Sequence, residues 1–203
     1  MKNIRLILAS NSPRRKQLLA GLGIDFEVMV LKGIDESYPE DLEVEKVAEY
    51  IAGKKAAAYR DVVDDNTIVI TADTIVVLDG MVMGKPATHD DACHMLRLLS
   101  GHTHHVITGV CLSSKNEKRS ISVTSEVTFK QLSEEEIEYY VNHYKPYDKA
   151  GAYGIQEWIG YVGVTSLRGS YFNVMGLPVQ RIYQELVDMC GCNIFIRDDK
   201  ALP

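Results

Sequence analysis

The sequence is short of positive charge. Lysine and arginine number 22 against 28 aspartates and glutamates, a net charge of −6. Binders of duplex nucleic acid ordinarily carry a basic excess, so no nucleic-acid polymer is expected as a partner. A small anionic ligand remains open, because a local cluster of cations can outweigh the global sign. The sequence also lacks a long apolar run. None reaches the ~20 residues needed to cross a bilayer, and no membrane partner is expected. The first residues show no apolar segment followed by a cleavage site, so no signal peptide is expected. Cysteine is sparse: Cys93, Cys111, Cys190 and Cys192, with no Cys-x-x-Cys pair. This argues against a disulfide scaffold and for reduced thiols in a cytoplasm. Repeats and low-complexity segments are absent.

What is present suits a soluble globular chain. Of 203 residues, 46% are hydrophobic and 25% charged, enough to bury a proper core. Residues 1–190 are expected to form one domain and 191–203 a C-terminal tail. Ile4 to Ala9 reads as a buried strand, and Ser12 then caps a helix that has Pro13 at its first position. Leu18, Leu19 and Leu22 share one face of that helix, and Gly21 and Gly23 end it. "DFEVMV" alternates as a strand does. Glu43 to Arg60 has helical spacing. "TIVITADTIVVL" is the strongest strand signal, with Asp79-Gly80 turning it into "MVMGKP". Thr88 caps a helix through Leu99, stopped by Gly101. "HVITGVCLSS" and "SISVTSEVTFKQL" read as two long strands. Ser133 with Glu136 makes a capping box for a helix to about His143, and Pro178 opens a last one to about Met189. Helices mixed with hairpin-joined strands predict an α/β fold with a mixed sheet.

The chemistry-bearing residues stand in a few short segments. "LASNSPRR" ends a strand at the mouth of a helix, where free N–H groups and the macrodipole attract anions. Ser10 and Ser12 add hydroxyl donors, and Arg14 and Arg15 add forked guanidinium bonds. Read as structure alone, this is a capped helix with solvated arginines. Arginine in a first helical turn opposes the dipole, however, and a bound phosphate would remove that conflict. Asp73 lies inside a run of valines and isoleucines, where a carboxylate is costly unless it is paired or metal-bound. Asp35, Glu36, Glu40 and Asp41 form an acidic loop. If it folds near Asp73, its oxygens could complete a magnesium site. Lys55 on a largely apolar helix face and Lys85 between Gly84 and Pro86 are candidate phosphate partners.

His102, His104 and His105, with His89, His94 and Cys93 upstream, invite a zinc reading. Their spacings match none of the usual structural zinc patterns, and no zinc site is expected there. If 102–105 is extended, His102 and His104 share one face and His105 takes the other. "DKAGAYGIQ" and "GSYFNVMGLP" are rich in small residues and read as turns that let a ligand approach. Gln156, able to donate and accept at once, suits a nucleobase edge.

Taken together and in order, "LASNSPRR", "ADT", "GKP", "SGHTHHVITG", "DKAGAYGIQ" and "GSYFNVMGLP" resemble the signature blocks of the Maf family, from residue 8 to 178. The resemblance implies an elongated mixed sheet with flanking helices and two lobes around a cleft, like the inosine triphosphatase fold. It implies a nucleoside triphosphate pyrophosphatase, and the "DKAGAYGIQ" block resembles the branch acting on dTTP and UTP. The alternative is a nucleotide-binding regulator of septum formation with little catalysis. The family's catalytic acid falls on Asp73, its substrate-selecting positions on Arg14, Thr74 and Gln156. Its other polar cleft positions fall on Ser10, Ser12, Arg15, Asp35, Lys55 and Lys85, with Glu36 able to replace Asp35. The expected cofactor is Mg²⁺ or Mn²⁺, held by Asp73 with Asp35 or Glu36. A homodimer is expected through the resemblance alone. The stretch "EWIGYVGVTSLR" departs from the family pattern.

Overall fold

The computed structural model describes residues 4–190, so the expected tail over 191–203 and Cys192 lie outside the described residues. Seven strands make one mixed sheet: β1 (Arg5–Leu8), β2 (Glu27–Val28), β3 (Thr67–Leu78), β4 (Met81–Met83), β5 (Thr103–Ser113), β6 (Lys118–Phe129) and β7 (Val164–Arg168). The order is β2-β1-β3-β5-β6-β7, with β4 also on β3. β1 runs parallel to β2 and β3, and every other pairing is antiparallel. The helices are α1 (Pro13–Ala20), α2 (Val44–Ala57), α3 (His89–Leu99), α4 (Glu134–Tyr144), α5 (Trp158–Gly163), α6 (Tyr171–Val174) and α7 (Val179–Cys190). No helix among the described residues is long and apolar enough to cross a membrane.

Local chemistry sets the boundaries. Ser12 Oγ accepts from the Arg15 amide, and Pro13 opens α1. Thr88 with Asp91, and Ser133 with Glu136, close reciprocal capping boxes on α3 and α4. Asp79 and Gly80 both have positive φ, 49° and 80°, the geometry of the tight β3–β4 turn.

β3 is the spine, and it is used differently along its two edges. β5 pairs with it continuously from Val69 to Val77. On the other edge β1 pairs with residues 67–70 and β4 with residues 76–78. Among the described residues no strand lies beside 71–75 there. The gap separates two cores on the same face of the sheet. One packs Leu18 and Leu19 of α1 and Ile182 and Leu186 of α7 on Leu6, Leu8, Ile68 and Ile70. The other packs Leu96 and Leu99 of α3 and Ile137 and Tyr140 of α4 on Val76, Leu78, Val127 and Phe129. The two packed bodies are the lobes, and the cleft lies between them. α2 covers the opposite face through Val47, Ala48 and Ile51 against Ile75, Val77 and Ile107. It comes close because β5 has glycine at 109, where a Cβ would lie 2.2 Å from the Glu49 amide nitrogen.

The fold departs from the sequence reading in three places. "DFEVMV" keeps only two strand residues, since β1 is itself short at that edge. α2 stops at Ala57, and a separate 3-10 turn follows at Arg60–Val62. No element is expected over 157–168, which holds α5 and the edge strand β7, and the turn expected over 169–178 holds α6. Its glycines and single short apolar runs carry no clear period.

Candidate active site

The chain leaves β1 at Ala9, whose amide still donates to the Ile70 carbonyl at 2.9 Å. It then crosses the cleft floor as Ser10-Asn11-Ser12. Ser10 Oγ accepts from the Ser12 amide and Ser12 Oγ from the Arg15 amide. Each hydroxyl is thereby oriented as an acceptor and keeps its own O–H to donate. One helical turn on, the Arg15 guanidinium fills the gap beside β3. It donates to the Ala72 carbonyl at 2.9 Å, Thr74 Oγ1 at 3.0 Å and the Gly176 carbonyl at 2.8 Å. A backbone carbonyl without a strand partner is thus satisfied by a side chain. Burial lowers the Arg15 pKa and the charge of Asp73 opposes that shift. The guanidinium remains charged.

Strand alternation sends Asp73 and Thr74 to opposite faces. Thr74 faces the lobes, between Arg15 and Thr108, whose hydroxyl lies 3.0 Å away. Asp73 faces α2, where Lys55 Nζ meets its Oδ1 at 2.7 Å. The same ammonium meets Glu36 Oε1 at 2.9 Å. Burial opposes the charge on Glu36, but the Lys55 bond together with the charges of Lys55, Lys85 and Arg15 outweighs it and the pKa is lowered. The side chains of Lys55 and Asp73 are 14% and 15% exposed, enough shelter to strengthen the pair and enough opening to reach a ligand.

Two contiguous hollows make the cleft, with about 730 and 1060 Å³ of empty space including their mouths. Ser12, Arg14, Arg15, Lys55, Lys85 and Asp148 line both. The first also takes in Asp73, Thr74 and Gln156; the second takes in Ser10 and Glu36. Arg14, Arg15, Lys55, Lys85 and Lys149 outnumber Asp73, Glu36 and Asp148, so the cleft favours anions although the chain is acidic.

Asp35 is the exception. Its carboxylate binds Lys54 Nζ at 2.7 Å and Ser37, outside both hollows. The Lys54 and Ser37 bonds hold its pKa well below the usual range. Of the two acids weighed from sequence as Asp73's companion, Glu36 stands at the site and Asp35 does not. The histidines also part company. β5 begins at Thr103, so His102 lies before the strand with Nδ1 against the Ser100 carbonyl. His104 is buried and His105 exposed. His104 Nε2 meets Tyr153 Oη at 2.8 Å, and burial pushes its pKa down to about 4.

The other end of the first hollow has a different character. Val76, Val106, Tyr153, Val174 and Met175 line it. Gln156 presents a buried Oε1 with no hydrogen-bond partner. A Cβ on Gly154 would lie 2.8 Å from Gln156 Nε2, so glycine leaves that amide its room. An ionic chain braces this end. Arg14 binds Asp148, which binds Lys149, which reaches Glu157 at 3.1 Å. Glu157 in turn accepts from the Tyr140 hydroxyl, itself the acceptor for the Gly154 amide at 3.0 Å. Burial opposes the charge on Asp148, yet the Lys149 and Arg14 bonds bring its pKa down to about 2.

Comparison with known proteins fixes the relationship. The family model described as "Maf-like protein" matches residues 5–189. The chain belongs to the Maf family. A Phocaeicola vulgatus protein named dTTP/UTP pyrophosphatase is 61% identical over 186 residues, 92% of this chain and 96% of the relative. A Parabacteroides distasonis protein of the same name is 56% identical over the same shares of each. Among solved structures, the Staphylococcus aureus Ham1 protein aligns at a TM-score of 0.46 and 14% identity, over 62% of this chain and 71% of that one. All six Maf signature segments read from the sequence lie on the matched span.

Sequence reasoning missed Asp148, Lys149, Glu157 and Tyr140, which only the fold brings together. Lys149, a lysine just before a run of small residues, was the available signal. It also missed Asn173, fully buried, whose Nδ2 donates to the Val106 carbonyl and Ser125 Oγ and so ties α6 beneath the cleft.

Proposed function

We propose that this Maf-family chain hydrolyses a pyrimidine nucleoside triphosphate, dTTP or UTP, to the monophosphate and pyrophosphate. The observation that carries the reading is one cleft in which Arg14, Lys55 and Lys85 surround Asp73 while an unpaired amide oxygen of Gln156 waits at the neutral end. The phosphates lie against the Ser10 and Ser12 hydroxyls, the open N–H groups of α1, Arg14, Lys55 and Lys85. Arg15, three of whose N–H groups hold the protein together, serves first as the clamp that fixes Thr74 and the cleft floor.

Asp73 Oδ1 is held by Lys55, and Oδ2 is the atom that takes a proton from water. The hydroxide oxygen bonds to the α-phosphorus, the α–β bridging P–O bond breaks, and its electrons leave with pyrophosphate. Positioning and charge stabilisation supply most of the acceleration in such transfers. The residues fit a divalent cation. Oxygens of Asp73 and Glu36 converge on a single positive charge, the Lys55 ammonium, and an all-oxygen donor set suits Mg²⁺ or Mn²⁺. When bound, the cation supplies neutralisation of phosphate charge.

Gln156 selects the base. Its Oε1 accepts from the N3–H of thymine or uracil and its Nε2 donates to a ring carbonyl. In that pose cytosine sets its N3 acceptor against Oε1 and its N4 donor against Nε2, a mismatch that a site of this kind rejects. The test is a panel of nucleoside triphosphates with Mg²⁺ and an assay of pyrophosphate. Release from dTTP and UTP ahead of the purine nucleotides is expected. Release of orthophosphate would move cleavage to another bond, and binding without turnover would favour a regulatory role.

A further inference from the structure

Outside the cleft, the packing of α3 on α4 brings together three ligand-bearing side chains: His89, Cys93 and Glu138. His89 and Cys93 are one turn apart on α3 and so share a face. Glu138 reaches them from α4. Cys93 Sγ lies 3.9 Å from His89 Nε2 and 3.6 Å from Glu138 Oε1, and His89 Nε2 lies 3.2 Å from Glu138 Oε2. A tetrahedral ion with Zn–S near 2.3 Å and Zn–N or Zn–O near 2.0 Å holds its ligands about 3.3–3.6 Å apart. The three side chains therefore stand near the separations of a zinc site. Supporting groups are in place as well. Asp90 Oδ1 is 3.5 Å from His89 Nδ1, and Asn142 Nδ2 donates to Glu138 Oε2 at 3.3 Å. None of the three side chains lines either hollow of the cleft.

We propose that His89, Cys93 and Glu138 bind one zinc ion that ties α3 to α4, separate from any cation in the catalytic cleft. The donor set decides the metal: thiolate, imidazole and carboxylate suit Zn²⁺ and not Mg²⁺. Three protein ligands leave the fourth position to water on the half-exposed His89 side. On binding, the Cys93 S–H bond breaks, its proton passes to solvent and an S–Zn bond forms. The cross-link joins helices of the lobe that carries the base end of the cleft, and it stabilises the folded chain by mass action.

The test uses the full chain stripped with a chelator and titrated with Co²⁺, which reports thiolate ligation by a charge-transfer absorption and tetrahedral geometry by its visible bands. One Co²⁺ per chain is expected, displaced by Zn²⁺ and not by Mg²⁺, with a higher unfolding midpoint when Zn²⁺ is present. Cys93→Ser should abolish the thiolate band. His89→Ala, at a half-exposed position, and Glu138→Gln should each weaken zinc by at least the roughly 10–100-fold that loss of a supporting residue costs. Cys111→Ser and Cys190→Ser should retain the band. Asp73→Asn should also retain it, so the result stands apart from the catalytic reading. Absence of a thiolate band, its survival in Cys93→Ser, or unchanged zinc affinity in His89→Ala would overturn the site.

Discussion

The two ends of the cleft are prepared for their ligand in opposite ways. At the phosphate end most charges already have a protein partner: Lys55 holds Asp73 and Glu36, and Arg14 holds Asp148. A triphosphate entering there exchanges ion pairs, and the acids it displaces are the ones a divalent cation would take. At the base end Val76, Val106, Val174 and Met175 give an apolar wall, and the acceptor Gln156 Oε1 has no partner. The first end can be filled by any nucleotide, because phosphates are common to all of them. In the proposed reading the second discriminates, because a fixed orphan acceptor is satisfied only by a base that places its donor there. Strength and selectivity are thus assigned to different places.

The contrast can be broken in order of effect. Asp73→Asn should lower kcat by about 10²–10⁴-fold with little change in KM, as loss of a general base does; steady-state kinetics on dTTP measures it. Gln156→Leu should lower kcat/KM for dTTP and UTP by roughly 10–100-fold, the ~1–3 kcal/mol of a lost buried bond, while weaker substrates change little. A competition assay reads the ratio, and unchanged selectivity would place the reader elsewhere.

The third test concerns the floor of the base end. His104 has its pKa pushed from 6.5 down to about 4 by burial, so the folded chain keeps it neutral where the unfolded chain protonates it. Between these values the unfolded state binds more protons, and stability falls as pH falls. His104→Phe should remove a pH dependence on the order of 3 kcal/mol from this window. Urea unfolding of both proteins at pH 7 and at the acid end of the window checks it. The smallest effect sharpens the assignment of acids. Asp35→Asn should change turnover less than about twofold, as an exposed substitution away from the site does, whereas Glu36→Gln should raise the Mg²⁺ concentration needed for half-maximal rate.

The phosphate end was largely legible in the sequence; at the base end Gln156 was legible and the groups that brace it were not. Arginines in a first helical turn, an aspartate among valines and a lysine on an apolar face each violate a local preference. Such violations mark sites that tertiary structure must resolve. The long strands and capped helices were legible for the complementary reason, that period and caps agree. The acidic loop offered two adjacent carboxylates, and alternation alone could not say which faced Lys55. The Arg14–Asp148–Lys149–Glu157–Tyr140 chain joins α1, the 148–157 segment and α4, elements whose proximity no spacing encodes. β7 and the helices beside it went unread because short glycine-bearing segments show neither period.

One consequence follows from the interrupted edge of β3. Asp73, the acid proposed as general base, occupies a doorway left because two neighbours on the same side, β1 and β4, stop short of one another. Were β1 to continue in register through Ser10 and Asn11, its amides would zip onto the Ala72 carbonyl now claimed by Arg15, and the entrance would close from below. In this architecture reactivity depends on strand length as much as on side-chain identity, and a single added ladder rung would silence the enzyme with every catalytic group still in place.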